Sequence, residues 1–304
     1  MDSELLLWQK FTLPAELIND DDASAVVPAD KKGGLKETII PMTEIRAAGA
    51  DKNGRYIIEQ GMAAPEMGRS VTVSFVDGNG NYVNLTDYLT GEVSTSVSRT
   101  IIDYSKLALE KGNTNQKNLN KALLTYGGYA QMYFNVDTTA PVYDVLTEMG
   151  VEVPDMGAID GNAIAQEMTS TGAALVKASS QQAFLDSAIY HQVYFTLESG
   201  VSIDDLSFEL TKRNKAGEYT ESVEPVYDSA KKRYYIQIDG IASPLLDYMY
   251  DIEITDAEGN VQNIQTSVAA YLKLGITKST NAKQVNMFKA MYNYNQVANT
   301  FFGF

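Results

Sequence analysis

A weak but ordered internal repeat constrains the fold of this chain more than any other feature of its sequence. Several short segments return in the same order after a shift of a little over half the chain. The clearest are Phe11-Thr12-Leu13 with Phe195-Thr196-Leu197, Tyr56-Ile57 with Tyr235-Ile236, Gly61–Pro65 with Gly240–Pro244, and Tyr126 with Tyr294. The shift changes only where turn residues cluster, which is where insertions are tolerated. The pattern therefore predicts a duplication, in which one module occurs twice.

The front part of each copy is predicted to consist of short strands. In the second copy, seven segments are rich in Val, Ile, Tyr and Phe and alternate in part between apolar and polar residues. They are Ala173–Ala178, Ile189–Leu197, Leu206–Lys212, Thr220–Tyr227, Tyr234–Ile238, Met249–Thr255 and Val261–Gln265. Short strands at a spacing of roughly 8–12 residues are typical of an Ig-like or fibronectin-III-like β-sandwich.

The back part of each copy changes from a strand period to a helix period. Apolar residues recur at alternating steps of four and three residues, which places them on one face of a helix. These residues are Leu119, Leu123, Tyr126, Ala130 and Tyr133 in the first copy, and Met287, Met291, Tyr294, Ala298 and Phe301 in the second. A shorter helix is predicted before each long one, over Tyr104–Glu110 and Val268–Leu274.

These patterns predict an α+β protein of two tandem modules, each an Ig-like sandwich followed by a C-terminal helical hairpin. Module one covers residues 1–135, with its sandwich at 1–95 and its hairpin at 96–135. An acidic linker covers 136–170. Module two covers 171–304, with its sandwich at 171–266 and its hairpin at 267–304. The sequence leaves open whether the hairpins pack on their own sandwiches or on each other.

The two copies differ in two places. Met1 aligns with Leu185, so the first copy has no counterpart of the strand Ala173–Ala178. Either the chain was cut there, or module one has an open sheet edge that a neighbouring strand can join. The first copy also carries an insertion, Tyr82–Gly91, that the second lacks.

Composition excludes several classes of function. The formal net charge is −15, so we expect no nucleic-acid partner. There is no Cys and only one His, His191, so thiolate and multi-histidine metal sites are excluded. No phosphate-cradling or dinucleotide motif occurs, and Tyr82 takes the glycine position of a calcium loop that would begin at Asp77. We predict no catalytic residue, metal or cofactor. No run of 18 apolar residues occurs, so we expect no direct membrane insertion.

Aromatic residues are the main chemical resource, with 19 Tyr and 10 Phe. Trp8 has no aromatic counterpart in the second copy, and Tyr82, Asp87 and Tyr88 lie in the insertion. Aromatic rings stack on sugar rings, and neighbouring carboxylates accept hydrogen bonds from sugar hydroxyls. Trp8, Tyr82, Asp87 and Tyr88 are therefore the candidate ligand-binding residues.

The helical segments carry a family resemblance. Lys121–Asn135 reads KALLTYGGYAQMYFN, and Lys289–Asn299 is a variant in which Asn295-Gln296 replace Gly127-Gly128. This segment resembles one found repeatedly in large secreted and cell-wall-attached proteins of anaerobic Gram-positive bacteria, notably gut Clostridia. The resemblance implies an extracellular, cell-surface location beside catalytic or adhesive domains. It carries over no catalytic residue.

Three hypotheses of function follow. The first is a non-enzymatic, adhesion-related interaction or spacer module, whose partner is a host or cell-wall glycan or another surface protein. The second is a carbohydrate-binding module centred on the insertion, and the third is a glycoside-acting enzyme. A pure spacer predicts no concave aromatic site. A glycosidase predicts two inward carboxylates roughly 5–10 Å apart. The sequence does not specify an oligomeric state.

Overall fold

A computed structural model of the protein describes residues 6–29, 37–185, 189–214 and 216–304. The predicted start of module one, at Met1, lies outside these residues. The described residues form seven α-helices and four antiparallel sheets, which confirms the α+β class. They divide into two compact units. The smaller unit holds Leu6–Met62 and Met67–Tyr104, and the larger holds Ala63–Glu66 and Ser105–Phe304.

The smaller unit contains two four-stranded sheets, with strand orders β4-β1-β6-β7 and β3-β2-β5-β8. The strands are β1 (Leu6–Thr12), β2 (Ser24–Val27), β3 (Thr38–Pro41), β4 (Tyr56–Gly61), β5 (Val71–Val76), β6 (Leu85–Asp87), β7 (Val93–Ser94) and β8 (Ser96–Arg99). Two short helices, α1 (Ala15–Ile18) and α2 (Met42–Ala48), lie between them in sequence. Strand β6 lies in the insertion Tyr82–Gly91 of the first copy, and it forms a hairpin with β7, which follows the insertion.

The core of the smaller unit lies between its two sheets. Leu7, Gln9 and Phe11 alternate along β1 with more exposed residues, as expected for a strand with one buried face. The Phe11 ring meets the Phe75 ring of β5 edge to face, with centroids 5.3 Å apart. This contact joins one sheet to the other.

The larger unit also has two sheets, with strand orders β10-β11-β15-β14 and β13-β12-β16-β17-β9. The strands are β9 (Thr169–Gly172), β10 (Val176–Leu185), β11 (Ile189–Leu197), β12 (Leu206–Asn214), β13 (Gly217–Ser222), β14 (Val226–Asp228), β15 (Arg233–Ile241), β16 (Tyr250–Asp256) and β17 (Val261–Thr266). Phe195 of β11 lies 5.7 Å from Phe208 of β12, so the two sheets share a core.

The strand predictions for the second copy agree with the structure at most positions, and the exceptions have physical reasons. The predicted strand Thr220–Tyr227 is two strands, β13 and β14, in different sheets. Pro225 stands between them and has no N–H for a ladder. The first strand, predicted over Ala173–Ala178, begins at Val176 and continues to Leu185, because a bulge after Ala178 shifts the register while pairing continues.

Five further helices follow along the chain: α3 (Ile101–Lys111), α4 (Thr114–Phe134), α5 (Asp144–Glu148), α6 (Val268–Lys278) and α7 (Ala282–Phe302). The two long helices begin in the same way in both copies. Asn113 caps α4 in a capping box with Gln116, and Asn281 caps α7 by accepting from the backbone of Lys283 and Gln284. The predicted long helices are therefore confirmed.

The hairpins of the two copies pack on each other within the larger unit. Among the described elements, α4 contacts α7 more extensively than any other. Tyr126 stacks on Tyr294, its repeat counterpart, with centroids 6.0 Å apart. Lys283 Nζ, at the start of α7, donates to Asn135 Oδ1, at the end of α4, over 3.1 Å, so the helices are antiparallel. Contact between equivalent residues is the mark of an isologous, two-fold-like interface.

Residues 136–170, predicted as an acidic linker, are packed rather than extended. Apolar side chains of this segment are buried, among them Val142, Val145, Leu146, Met156 and Ile164. The backbone N–H of Val142 donates to the buried Gln131 Oε1 of α4 over 2.8 Å. The segment thus covers a face of α4, and its apolar spacing outweighs its acidic composition.

Gly128 provides a test of this packing. A Cβ at Gly128 would overlap the Tyr143 ring, because the ring lies directly on the helix backbone there. We expect Gly128→Ala to destabilise the protein by about 1–3 kcal/mol, despite the better helix propensity of Ala. Urea unfolding would measure the change. In a Tyr143→Ala background the same substitution should be neutral or stabilising. Additive effects of the two changes would contradict the packing described.

Candidate functional site

The structure does not bring all four sequence-predicted ligand residues onto one surface. Trp8 lies on β1, and Asp87 and Tyr88 lie at the end of β6, in the first sheet of the smaller unit. Tyr82 instead forms a bridge with Val76, at the end of β5 in the second sheet. The prediction of one site formed by the insertion therefore divides into two places.

The Asp87 carboxylate is committed to its own hairpin. It accepts hydrogen bonds from the Leu89 N–H at 2.9 Å and from the Thr90 hydroxyl at 3.1 Å. It also forms an ion pair with Arg99, and both side chains are largely buried. A carboxylate satisfied in this way stabilises the turn and offers little surface to a ligand.

The other two predicted residues, Trp8 and Tyr88, belong to a strip of charged and aromatic side chains, which we call the outer strip. It consists of Trp8, Lys10, Asp51, Arg55 and Tyr88. Lys10 Nζ lies 3.6 Å from Asp51 Oδ2, and Arg55 bonds the same carboxylate at 2.9 Å while its guanidinium covers the Tyr88 ring at 5.0 Å. Hydrogen bonds from Arg55 hold the pKa of Asp51 well below its usual range. Trp8 is 43% exposed.

His191, the one histidine, is a core residue of the larger unit. Its Nε2 lies 3.2 Å from both Gln181 Oε1 and Thr266 Oγ1, and the side chain is fully buried. Burial lowers its pKa to about 4, so the ring is neutral at physiological pH. Its repeat counterpart, Leu7, is also buried, which fits a structural role.

The larger unit contains a concave site that the sequence patterns did not indicate, which we call the aromatic cleft. Its volume is about 370 Å³. Six of its lining residues are aromatic: Tyr133, Phe134, Phe184, Tyr190, Tyr271 and Phe288. Gln182, Ala183, Gln284 and Met287 complete the lining.

The rings of the aromatic cleft are arranged in pairs. Phe184 and Tyr190, on neighbouring strands β10 and β11, are nearly parallel, with centroids 4.6 Å apart. Tyr271 and Phe288 join α6 to α7 at 5.4 Å. Phe134, at the end of α4, is 44% exposed although it contacts Tyr133. The cleft is therefore built from helix ends of both copies and from one sheet edge of the second copy.

The polar groups of the aromatic cleft are neutral. Among the described residues, the hydroxyls of Tyr133, Tyr190 and Tyr271 and the amide of Gln182 have no hydrogen-bond partner. Burial raises the pKa of Tyr271, and the neighbouring Tyr133 adds to the effect, so this phenol stays protonated. The site thus offers donors and acceptors beside apolar ring faces, without a charged side chain in its lining.

Sequence reasoning missed this cleft because its residues come from distant segments of both copies. The available indication was a difference between copies, since Tyr190 and Phe288 stand where the first copy has Leu6 and Asn120. A second cleft, of about 460 Å³, lies where the start of α4 meets the end of α7. Its lining is rich in amides, including Asn115, Asn118 and Asn293.

The described residues contain no group of three or more His, Cys, Asp or Glu placed to hold a metal ion. Within the same ranges, no helix combines the length and apolar character needed to cross a bilayer. Comparison of the chain with protein families, curated proteins and solved structures finds no match.

The buried His191 predicts a specific pH dependence. Its pKa is lower in the folded state than the usual value of 6.5, so the unfolded chain binds the proton more tightly. Stability is therefore full above pH 6.5 and falls as the pH drops towards 4, by about 3 kcal/mol in total. Proton NMR of the single imidazole should show no titration between pH 8 and pH 5. A midpoint near 6.5 would show that the ring is accessible to water.

Proposed function

We propose that this chain is a non-enzymatic binding module of an extracellular bacterial surface protein, and that it holds a carbohydrate in the aromatic cleft. The observation that carries the proposal is the cleft itself, a concave site with six aromatic rings and four polar groups that have no hydrogen-bond partner among the described residues. A pure spacer needs no such site. The cleft therefore supports ligand binding over a spacer role.

The chemistry of the cleft suits a neutral sugar. The C–H faces of a sugar ring stack on aromatic rings, and its hydroxyls exchange hydrogen bonds with phenols and amides. Phe134 and Tyr190 supply ring surface, while Gln182 and Tyr133 supply donors and acceptors. The net charge of −15 disfavours an anionic ligand. A neutral glycan of the host or of the cell wall is therefore the expected partner.

The lining of the cleft also bears on catalysis. Glycoside hydrolysis uses a pair of carboxylates about 5–10 Å apart, one on each side of the bond to be cleaved. Among the described residues, no Asp or Glu lines the aromatic cleft. This composition supports binding without turnover, in line with the resemblance, which brings no catalytic residue.

Strand order supports the Ig-like assignment of each copy. The sheets β10-β11-β15-β14 and β13-β12-β16-β17 follow the order A-B-E-D and C′-C-F-G of Ig-like sandwiches. In the first copy, β4-β1 and β3-β2-β5-β8 correspond to E-B and C′-C-F-G. We therefore include two Ig-like sandwiches in the proposal. Together with the resemblance to wall-attached proteins, they support a cell-surface location.

Glycan binding by variants tests the cleft. Phe134→Ala should weaken binding to a glycan identified on a polysaccharide array about threefold to tenfold, because one stacking surface is lost. Phe302→Ala is the matched control, since Phe302 is the repeat counterpart of Phe134, is equally exposed at 44%, and is not part of the cleft. Silence of the array, or equal loss in both variants, would refute the proposal.

The outer strip is a second candidate site, favoured by the exposure of Trp8 and by the stacking of Arg55 on Tyr88. If sugar binds there, Trp8→Ala and Tyr88→Ala should abolish the array signal, and Phe134→Ala should leave it intact. Tyr227→Ala serves as a control, because Tyr227 is an exposed aromatic of the larger unit outside both sites. Full binding by the Trp8 and Tyr88 variants would eliminate the outer strip.

A further inference from the structure

Strand β1 is paired along the whole of one edge, whereas its other edge is paired at one end only. On one side it pairs with β4 over its length, from Leu6 opposite Gly61 to Phe11 opposite Tyr56. On the other side β6 pairs only with Phe11 and Thr12. No described residue pairs with the Leu6–Lys10 part of β1 on that side. We call this part the β1 edge.

The backbone groups that face this edge can be identified. The N–H of Asp87 in β6 donates to the Glu92 carbonyl, and the Asp87 carbonyl accepts from the Gly91 N–H, so its backbone groups point away from β1. The backbone hydrogen bonds between β6 and β1 are therefore formed by Thr86 and Thr12, which lie opposite each other. Backbone groups alternate sides along an antiparallel strand. The N–H and C=O of Lys10 and Trp8 consequently point to the open side, as those of Thr12 do.

The second copy shows what occupies the corresponding edge. There β10 pairs with β11 from Val176 to Leu185. Gln182 lies opposite Gln192, the counterpart of Trp8, and Ser180 lies opposite Tyr194, the counterpart of Lys10. The covering segment is an extended, antiparallel strand, and Ser180–Leu185 contains no charged residue.

A buried polar atom adds a chemical requirement at this edge. Gln9 is only 2% exposed, and its Nε2 donates to the Val71 carbonyl at 2.9 Å. Its Oε1 is buried and has no hydrogen-bond partner among the described residues. A buried acceptor without a partner is costly. In the second copy the corresponding position on β11 is Val193, which faces Gln181 of the covering strand.

We propose that the β1 edge accepts an extended segment of another polypeptide, which adds to the sheet antiparallel to β1. The segment is uncharged, has a small residue opposite Leu7, as Ala183 is opposite His191, and has a hydrogen-bond-donating side chain opposite Gln9. Main-chain hydrogen bonds to Trp8 and Lys10 supply the affinity, as in other cases of strand addition. This interaction is separate from the aromatic cleft and does not depend on sugar binding.

A synthetic peptide with the sequence of Ser179–Leu185 tests the proposal. Trp8 is the only Trp of the chain, so its fluorescence reports directly on the edge. Titration of the full chain with the peptide should give a saturable change in this fluorescence. At saturation, hydrogen exchange of the Trp8 and Lys10 backbone N–H groups should become slower. Exchange of the Leu7 and Gln9 N–H groups, which face β4, should not change. Absence of a saturable change would overturn the proposal.

Two substitutions at Trp8 separate its backbone from its side chain. Trp8→Pro removes the N–H that faces the open side and leaves the ladder with β4 intact, whereas Trp8→Thr removes the indole and keeps the N–H. Binding of a fluorescently labelled peptide should weaken about fivefold or more in the Pro variant relative to the Thr variant. Equal binding by both would refute strand addition. A dimer of the unliganded chain that only Trp8→Pro dissociates would assign the edge to a second copy instead.

Discussion

The contact between α4 and α7 is the interaction on which the larger unit depends. It places Tyr126 on Tyr294 and joins the helices of the first copy to the sheets of the second. Without it, the end of α4 would not lie beside β10, and the aromatic cleft would lose Tyr133 and Phe134. The packed segment 136–170 covers the other side of α4, where Gly128 leaves room for Tyr143. The first copy has Gly128 where the second has Gln296. Gly128 packs against the Tyr143 ring, whereas Gln296 donates a hydrogen bond to Asp247.

The corresponding edges of β1 and β11 are covered in different ways. In the second copy, strand β10 covers β11, and beneath it Thr266 donates to Gln181 Oε1 beside the neutral His191. In the first copy, the register places Arg99 where the second has Thr266, and Arg99 pairs with Asp87 of the inserted hairpin. Among the described residues, the insertion therefore takes the place that part of β10 has in the second copy, both in its backbone pairing and in its buried polar contact. It is too short to cover the rest of β1.

Local patterns predicted the elements well and the assembly poorly. Period and turn residues were enough to predict β11 at both ends and both long helices, because each depends on contacts close in sequence. The alignment of Tyr56 with Tyr235 is displaced by one residue, since the ladders pair Phe11 with Tyr56 and Phe195 with Tyr234. A bulge near Ile189 absorbs the difference. Of the candidate ligand residues named from the sequence, Trp8 and Tyr88 are exposed, whereas the aromatic cleft needs tertiary contacts that no period encodes.

The stacking of equivalent residues has a consequence for how such a chain could arise. An isologous surface is self-complementary, so one module alone carries both halves of the α4–α7 contact. A single-copy ancestor would have formed this contact between two molecules, at a strength that depended on its concentration. Joining the copies in one polypeptide makes the contact intramolecular, so it persists however dilute the protein becomes. Within one polypeptide the two helix ends can also differ, and here one end has aromatic neighbours and the other has amides.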